Sequence, residues 1–306
     1  MMSAGVLQFE GLRGQLQCGV PLARYTSWRC GGLADRLYIP ADREDLAAML
    51  RQLPSEEPLT VLGLGSNLLV RDGGVRGTVI VLHAALDVLE IRDGLIYAEA
   101  GVTSPKVARF AALHRLAEAE FLAGIPGTTG GALAMNSGCY GGETWRYVAR
   151  VEVLTRSGAF ERRLPSDYLI GYRSVRRADP HAPANVFTAA WFSFPPGDPD
   201  VARWRIKKLL EKRVATQPLD MPNAGSVFRN PHDDHAARLI ENCGLKGCTI
   251  GGAHVSEKHA NFIVNPGGRA SAADIEALIV HVRETVRAQT GVDLNPEIRI
   301  IGDPAP

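Results

Sequence analysis

The chain has 306 residues, 45% of them apolar and 22% charged, with 34 basic against 33 acidic side chains and a formal net charge of +1. That length supports two domains with cores of their own, and the composition is globular rather than disordered. The charge balance argues against nucleic acid or an anionic membrane as the main partner, whereas a small anion needs only a few local donors. The five cysteines, Cys18, Cys30, Cys139, Cys243 and Cys248, form no CxxC pair. Neither a metal site nor a disulfide framework is expected, and reduced thiols fit a cytoplasmic protein. No stretch approaches the ~18 apolar residues of a membrane span, and the first residues lack a signal-peptide pattern.

Along the first half, β and α segments alternate over short distances. Asp42 caps a helix over 43–53, with Asp45 placed favourably in its first turn. The apolar runs 59–65 and 78–83 read as buried strands, followed by a strand over 95–101. Ser104-Pro105 opens a helix running to 119, and 147–155 and 186–194 add two strands. The segment Pro195–Asp200 then interrupts all periodicity. Beyond it come a basic helix over 201–215, a helix over 236–243 stopped by Gly244 and a strand over 260–265. Ser271 caps a helix over 273–289, and a last strand covers 295–302. The expected division is a first domain over 1–195, itself split near 85, and a second over 196–306.

Two glycine-rich segments bring backbone near an anion. The first holds Gly63, Gly65, Ser66, Asn67 and Leu68; the second holds Gly127, Thr128, Gly130 and Gly131, with Asn136, Ser137 and Gly138 following. Glycine tolerates positive φ and exposes N–H groups, and successive donors make an anion nest. Leu68 stands where a dinucleotide Rossmann fingerprint needs a small residue, and neither segment carries a P-loop lysine. By itself each segment is equally a tight turn.

Further motifs accompany them: Tyr25–Gly32, Leu62–Gly74, Ala123–Ala132, Met135–Glu143, Gly171–Ser174, Asn223–Pro231 and Asn295–Arg299. Taken in order over essentially the whole chain, they resemble the UDP-N-acetylenolpyruvoylglucosamine reductases. The resemblance implies an α+β fold. Its parts would be a vanillyl-alcohol-oxidase-type FAD-binding domain of two α+β subdomains and a smaller C-terminal α+β substrate domain. Non-covalent FAD as cofactor, NADPH as reductant and a nucleotide-sugar substrate are implied with it. No metal, nucleic acid, membrane insertion or obligate protein partner is expected. One family type carries an inserted tyrosine that closes over the substrate. Here 52 residues separate Arg173 from Ser226 and none is tyrosine, so the chain resembles the shorter type.

The implied reaction reduces an enolpyruvyl ether to a lactyl ether, with hydride passing from the flavin N5 to C3 and a proton to C2. Such chemistry needs a cation near the carboxylate and a positioned acid. Ser226 matches the family's proton donor and Arg173 the arginine facing the developing enolate. Glu297 matches its acidic residue. An ionised carboxylate would repel an enolate, so Glu297 is expected to be protonated or to share a proton in the reactive complex. Alternation along a strand would also put Glu297 and Arg299 on one face as a simple ion pair. Asn230 on the serine motif is a candidate substrate contact. Arg213, Gln217 and His259 are further candidates, each also explained as ordinary polar surface or filling. Two other readings stand beside this one: another flavin oxidoreductase of the same fold, and a flavin-binding protein without catalysis. A chain ended near 196 is expected to keep its flavin.

Overall fold

A computed structural model describes residues 9–181 and 185–305. The antiparallel pair β1 (Gln15–Pro21) and β2 (Leu33–Ile39) starts the first sheet. Helix α1 (Arg43–Gln52) follows, with the Asp42 carboxylate accepting from the Asp45 N–H as the cap requires. Then come β3 (Leu59–Leu62), β4 (Leu68–Val70) and β5 (Val75–Val81). The sheet order is β1-β2-β5-β3, with β5 parallel to both its neighbours. Leu46, Met49 and Leu50 of α1 pack on Tyr38 and Ile80. β4 stands outside this sheet.

The second sheet is antiparallel throughout. It is built from β6 (Leu89–Arg92), β7 (Leu95–Glu99), β10 (Val148–Leu154), β11 (Phe160–Arg163) and β14 (Val186–Phe192), in the order β11-β10-β14-β7-β6. Between β7 and β10 lie α2 (Ser104–Leu113), α3 (Thr129–Met135) and the short pair β8 (Gly138–Cys139) and β9 (Gly142–Glu143). The hairpin β12 (Tyr168–Gly171) and β13 (Ser174–Arg177) joins neither sheet, and its two-residue tip is Tyr172-Arg173. The two sheets fall on either side of residue 85.

Several of these elements depart from expectation. α2 stops at Leu113 rather than running to 119, because Leu116 is drawn into a bridge with Pro196 and the Gly197 N–H bonds Arg115. The second glycine segment is half helical: Thr128 caps α3, and Gly130 lies where an added Cβ would stand 3.0 Å from Ala100. Close helix–strand packing, rather than a ligand, requires that glycine.

The last part holds α4 (Pro199–Thr216), α5 (Ala236–Asn242), β15 (Thr249–Ile250), β16 (Ala253–Val255), β17 (Ile263–Val264), α6 (Ala272–Thr290) and β18 (Arg299–Ile301). Asp198 caps α4, yet Ala202 and Ile206 of this helix pack into the core of the second sheet. The composition break at 195–200 is therefore not where the core changes. The next core begins at Ala224 and also contains Trp28, Cys30 and Leu69 from the first part of the chain. Among the described residues no helix is long and apolar enough to cross a membrane.

That shared core is pinned by directional bonds. β18 runs parallel to β4, pairing Arg299 with Leu68 and Ile301 with Val70, and β4 has no other ladder partner among the described strands. The Asp72 carboxylate accepts from the Ala272 and Ala273 N–H groups at 2.9 Å each, at the positive end of α6. Arg71 grips Glu276 with two bonds of 2.9 and 2.7 Å. The Trp28 indole N–H donates to the Ile263 carbonyl at 2.8 Å.

Removing the C-terminal part would thus uncover Trp28 and Leu69 and leave β4 unpaired, against the expectation of a flavin-binding fragment. A chain ended after Thr216 should show no cooperative unfolding transition and should not retain flavin during purification. A soluble yellow fragment that melts cooperatively would contradict this packing.

Candidate active site

A cleft of about 300 Å³ opens where the two sheets and the C-terminal part meet. Gly63, Gly65, Ser66, Asn67 and Leu68 line one wall; Gly127, Thr128, Gly131, Ser137 and Gly138 line another. Gly65 sits at φ +60, and an added Cβ would stand 2.0 Å from the Tyr25 carbonyl, so the turn admits only glycine. The N–H groups of Gly65, Ser66 and Asn67 donate to no protein group among the described residues. Cβ atoms at Gly127 and Gly131 would project toward the cleft, meeting nothing closer than 3.6 and 3.8 Å. Exposed amides beside bare glycine backbone fit the diphosphate of FAD, which needs close approach and donors rather than a cation.

Facing these walls, Arg173 and Glu297 form a close pair, Nε to Oε1 at 2.6 Å, both side chains largely buried. The same guanidinium donates to the Gly138 carbonyl at 2.7 Å and the Asn136 carbonyl at 3.4 Å. Arg173 adopts φ +52, a left-handed conformation that costs a non-glycine residue free energy. Glu297 is fixed through its backbone: its N–H donates to Val227 at 2.7 Å, and its carbonyl accepts from the Asn67 side chain at 3.1 Å. Its partner is Arg173 rather than Arg299.

Ser226 reaches the cleft on a segment held from both sides. Gly225 before it adopts φ +76 and donates to the Asn223 side chain at 3.0 Å. Val227 and Phe228 after it donate to the Asn261 carbonyl and side-chain oxygen, each at 2.9 Å. The backbone on either side is thus set where Ser226 lines the cleft.

Arg213 and Gln217 also line the cleft, joined by an Nε–Oε1 bond of 3.0 Å. Arg213 has no carboxylate partner among the described residues, and burial weakens its hold on its proton. Arg299, not singled out in the sequence, lines the cleft as well. Its position two residues after Glu297, in a run expected to be one strand, was the available signal. Arg173, Arg213 and Arg299 are the cations of the lining and Glu297 its one carboxylate.

Four sequence candidates lie outside the lining. Gly130 packs on Ala100, as above. Asn136 is 1% exposed, with its side chain bonded to Glu143, Gly171 and Trp145. The Asn230 side chain accepts from the Ala236 N–H at 3.1 Å and opens α5. His259 stacks edge-on against Phe262 at 4.7 Å, and burial lowers its pKa.

A fold of two α+β subdomains that leaves backbone amides open to a dinucleotide, with arginines facing the same cleft, is that of an FAD-dependent oxidoreductase. Comparison with known proteins narrows the class. Residues 34–162 match an FAD binding domain model, and residues 217–301 match the model of the C-terminal domain of UDP-N-acetylenolpyruvoylglucosamine reductase. The reductase of that name from Nitrosospira multiformis is 57% identical, over 98% of this chain and 92% of its own. The one from Coxiella burnetii is 51% identical, over 96% and 98%. The crystal structure of the Thermus caldophilus UDP-N-acetylenolpyruvylglucosamine reductase superposes with a TM-score of 0.79 at 33% identity, over 94% of this chain and 99% of that one. The chain belongs to the UDP-N-acetylenolpyruvoylglucosamine reductase family.

Cys139 lines this cleft, donating to the Phe121 carbonyl at 3.0 Å, and burial pushes its thiol up to about 11. Burial pushes Cys30 up to about 12, while Cys18 is exposed. The thiolate is the nucleophile, so neither buried sulfur is primed for attack near neutral pH. Brief alkylation at pH 8 should therefore label Cys18 and spare Cys139, and acid precipitation should release all the flavin. Flavin left on the pellet, or on a Cys139 peptide by mass spectrometry, would refute a non-covalent site.

Proposed function

We propose that this cleft reduces the enolpyruvyl ether of UDP-N-acetylglucosamine to the lactyl ether of UDP-N-acetylmuramate, the peptidoglycan precursor, with Arg173, Ser226 and Glu297 acting on the substrate. FAD, when bound, carries hydride from NADPH to C3 of the enolpyruvyl group. The Gly63–Leu68 and Gly127–Thr128 loops, with Gly131, Ser137 and Gly138, would hold it. The observation that carries the reading is convergence: residues 173, 226 and 297 come from three distant segments and meet at the one cleft with the flavin loops.

Each side chain has a task set by its surroundings. Arg173 faces the substrate carboxylate, where negative charge builds as C3 gains hydride; its fixed donors need no reorganisation as that happens. Glu297, bonded to Arg173, keeps the guanidinium in place. Ser226 delivers the proton to C2. Arg213, partly desolvated and free of a carboxylate, attracts the nucleotide-sugar diphosphate beside Gln217. NADPH and the sugar use the cleft in turn. We place the enzyme in the cytoplasm, where its five unpaired cysteines suit reducing conditions.

Ser226→Ala should separate the two half-reactions. Reduction of bound FAD by NADPH should stay near the wild-type rate in stopped flow, since the hydroxyl has no part in it. Reoxidation by the enolpyruvyl substrate should slow by roughly 10²–10⁴-fold or more, the usual worth of a positioned acid. Ser226→Cys should recover part of that loss. If Ser226→Ala reoxidises as fast as wild type, the proton-donor role is wrong.

A further inference from the structure

We infer that Asn136 is a positioning residue that sets where the Arg173 guanidinium sits, an inference resting on the reading of Arg173 as the residue facing the substrate carboxylate. Arg173 is at the tip of the β12–β13 hairpin, which joins neither sheet and leaves Leu169, Ile170 and Tyr172 exposed. A lone two-stranded hairpin is marginal in water, so something must hold this one. Tyr168 and Val175 pack its base into the core of the second sheet, and Asn136 holds its turn. Its Nδ2 donates to the Gly171 carbonyl at 3.2 Å, at the base of the hairpin's turn, and to Glu143 Oε2 at 3.0 Å.

The same residue also meets the other end of the arginine. The Asn136 main-chain carbonyl accepts from Arg173 Nη1 at 3.4 Å, and Gly138, two residues on, accepts from Nη2 at 2.7 Å. Backbone and head group of Arg173 are thus both referenced to one short segment. That segment is itself fixed: Asn136 ends α3 at φ 43 and ψ 52, a left-handed conformation asparagine takes more readily than most residues, and its Oδ1 accepts from the Trp145 N–H at 3.1 Å. Every polar atom of this buried side chain is used. Losing the side chain would leave the Gly171 carbonyl without this donor and loosen the turn that carries Arg173, while Glu297 would still pull on the guanidinium from the other side.

Asn136→Gly tests this, because glycine keeps the left-handed backbone and its carbonyl but deletes the clamp. The flavin-loaded variant should be reduced by NADPH near the wild-type rate. Reoxidation by the enolpyruvyl substrate should slow by about 10²-fold, the scale of an ångström-sized misplacement. The loss should fall on kcat more than on KM. Arg173→Ala and the double variant run in the same assay. If Asn136 acts through Arg173, adding Asn136→Gly to Arg173→Ala should slow reoxidation no further. Wild-type reoxidation in Asn136→Gly, equal slowing of both half-reactions, or a full second loss in the double variant would overturn the inference. Wild-type reoxidation in Arg173→Ala would instead overturn the reading of Arg173 beneath it. Should Asn136→Gly not hold flavin, the isosteric Asn136→Asp keeps the bond to Trp145 while setting an acceptor against the Gly171 carbonyl and Glu143, and the same pattern is expected. Flavin loss by both variants would mean a purely structural role and count against the proposal.

Discussion

The parallel ladder between β4 and β18 is the constraint on which the site depends. It carries the last strand of the chain back beside the first glycine loop, and Asn67 locks the junction twice. Its side chain donates to the Glu297 carbonyl and its own carbonyl accepts from Arg299. From there the order passes onward: Glu297 donates to Val227, Arg229 to Asn295, and Phe228 bridges Pro296. Ser226 is therefore placed relative to the first glycine loop through the segment that carries Glu297 into β18. Asp72 at the α6 N-terminus and Arg71 on Glu276 keep the ladder from sliding. The seating of the first glycine loop and the placement of Ser226 are one structural problem with one solution.

Arg173 enters from the second subdomain and meets Glu297 across the cleft, so that pair also joins the two halves of the site. A buried ion pair gains little stability after desolvation, but breaking one leaves an uncompensated charge. The pair thus serves geometry better than stability. With Arg213 and Arg299 nearby, the cleft carries a local positive excess inside a nearly neutral chain. Such local charge draws an anionic substrate without making the whole surface attractive to nucleic acid.

Much of this was legible in the sequence, and the failures have physical causes. Caps were readable at Asp42 and Ser271, because a single side chain and its local N–H decide them. β1 was passed over, although Leu16, Cys18 and Val20 alternate with Gln15, Gln17 and Gly19; only Val20 of its seven residues is buried. The helix expected to reach 119 ended early through a tertiary bridge to Pro196 that no local pattern announces. Ser226, Arg173 and Glu297 were found through motifs, yet the partner of Glu297 could not be: Arg173 lies 124 residues away, and the nearer Arg299 fitted strand periodicity equally well. Asn136 and Gly130 stood among glycines and were read as part of the flavin loop. Asn136 is buried with its side chain bonded inside the protein, and Gly130 packs on Ala100.

The most direct measurement mixes the purified yellow protein first with NADPH and then with UDP-N-acetylglucosamine enolpyruvate, following the flavin absorbance without air. The account predicts bleaching by NADPH, recovery on adding the sugar, and one lactyl product formed per flavin reoxidised. Bleaching without recovery, with the substrate returned unchanged, would contradict it.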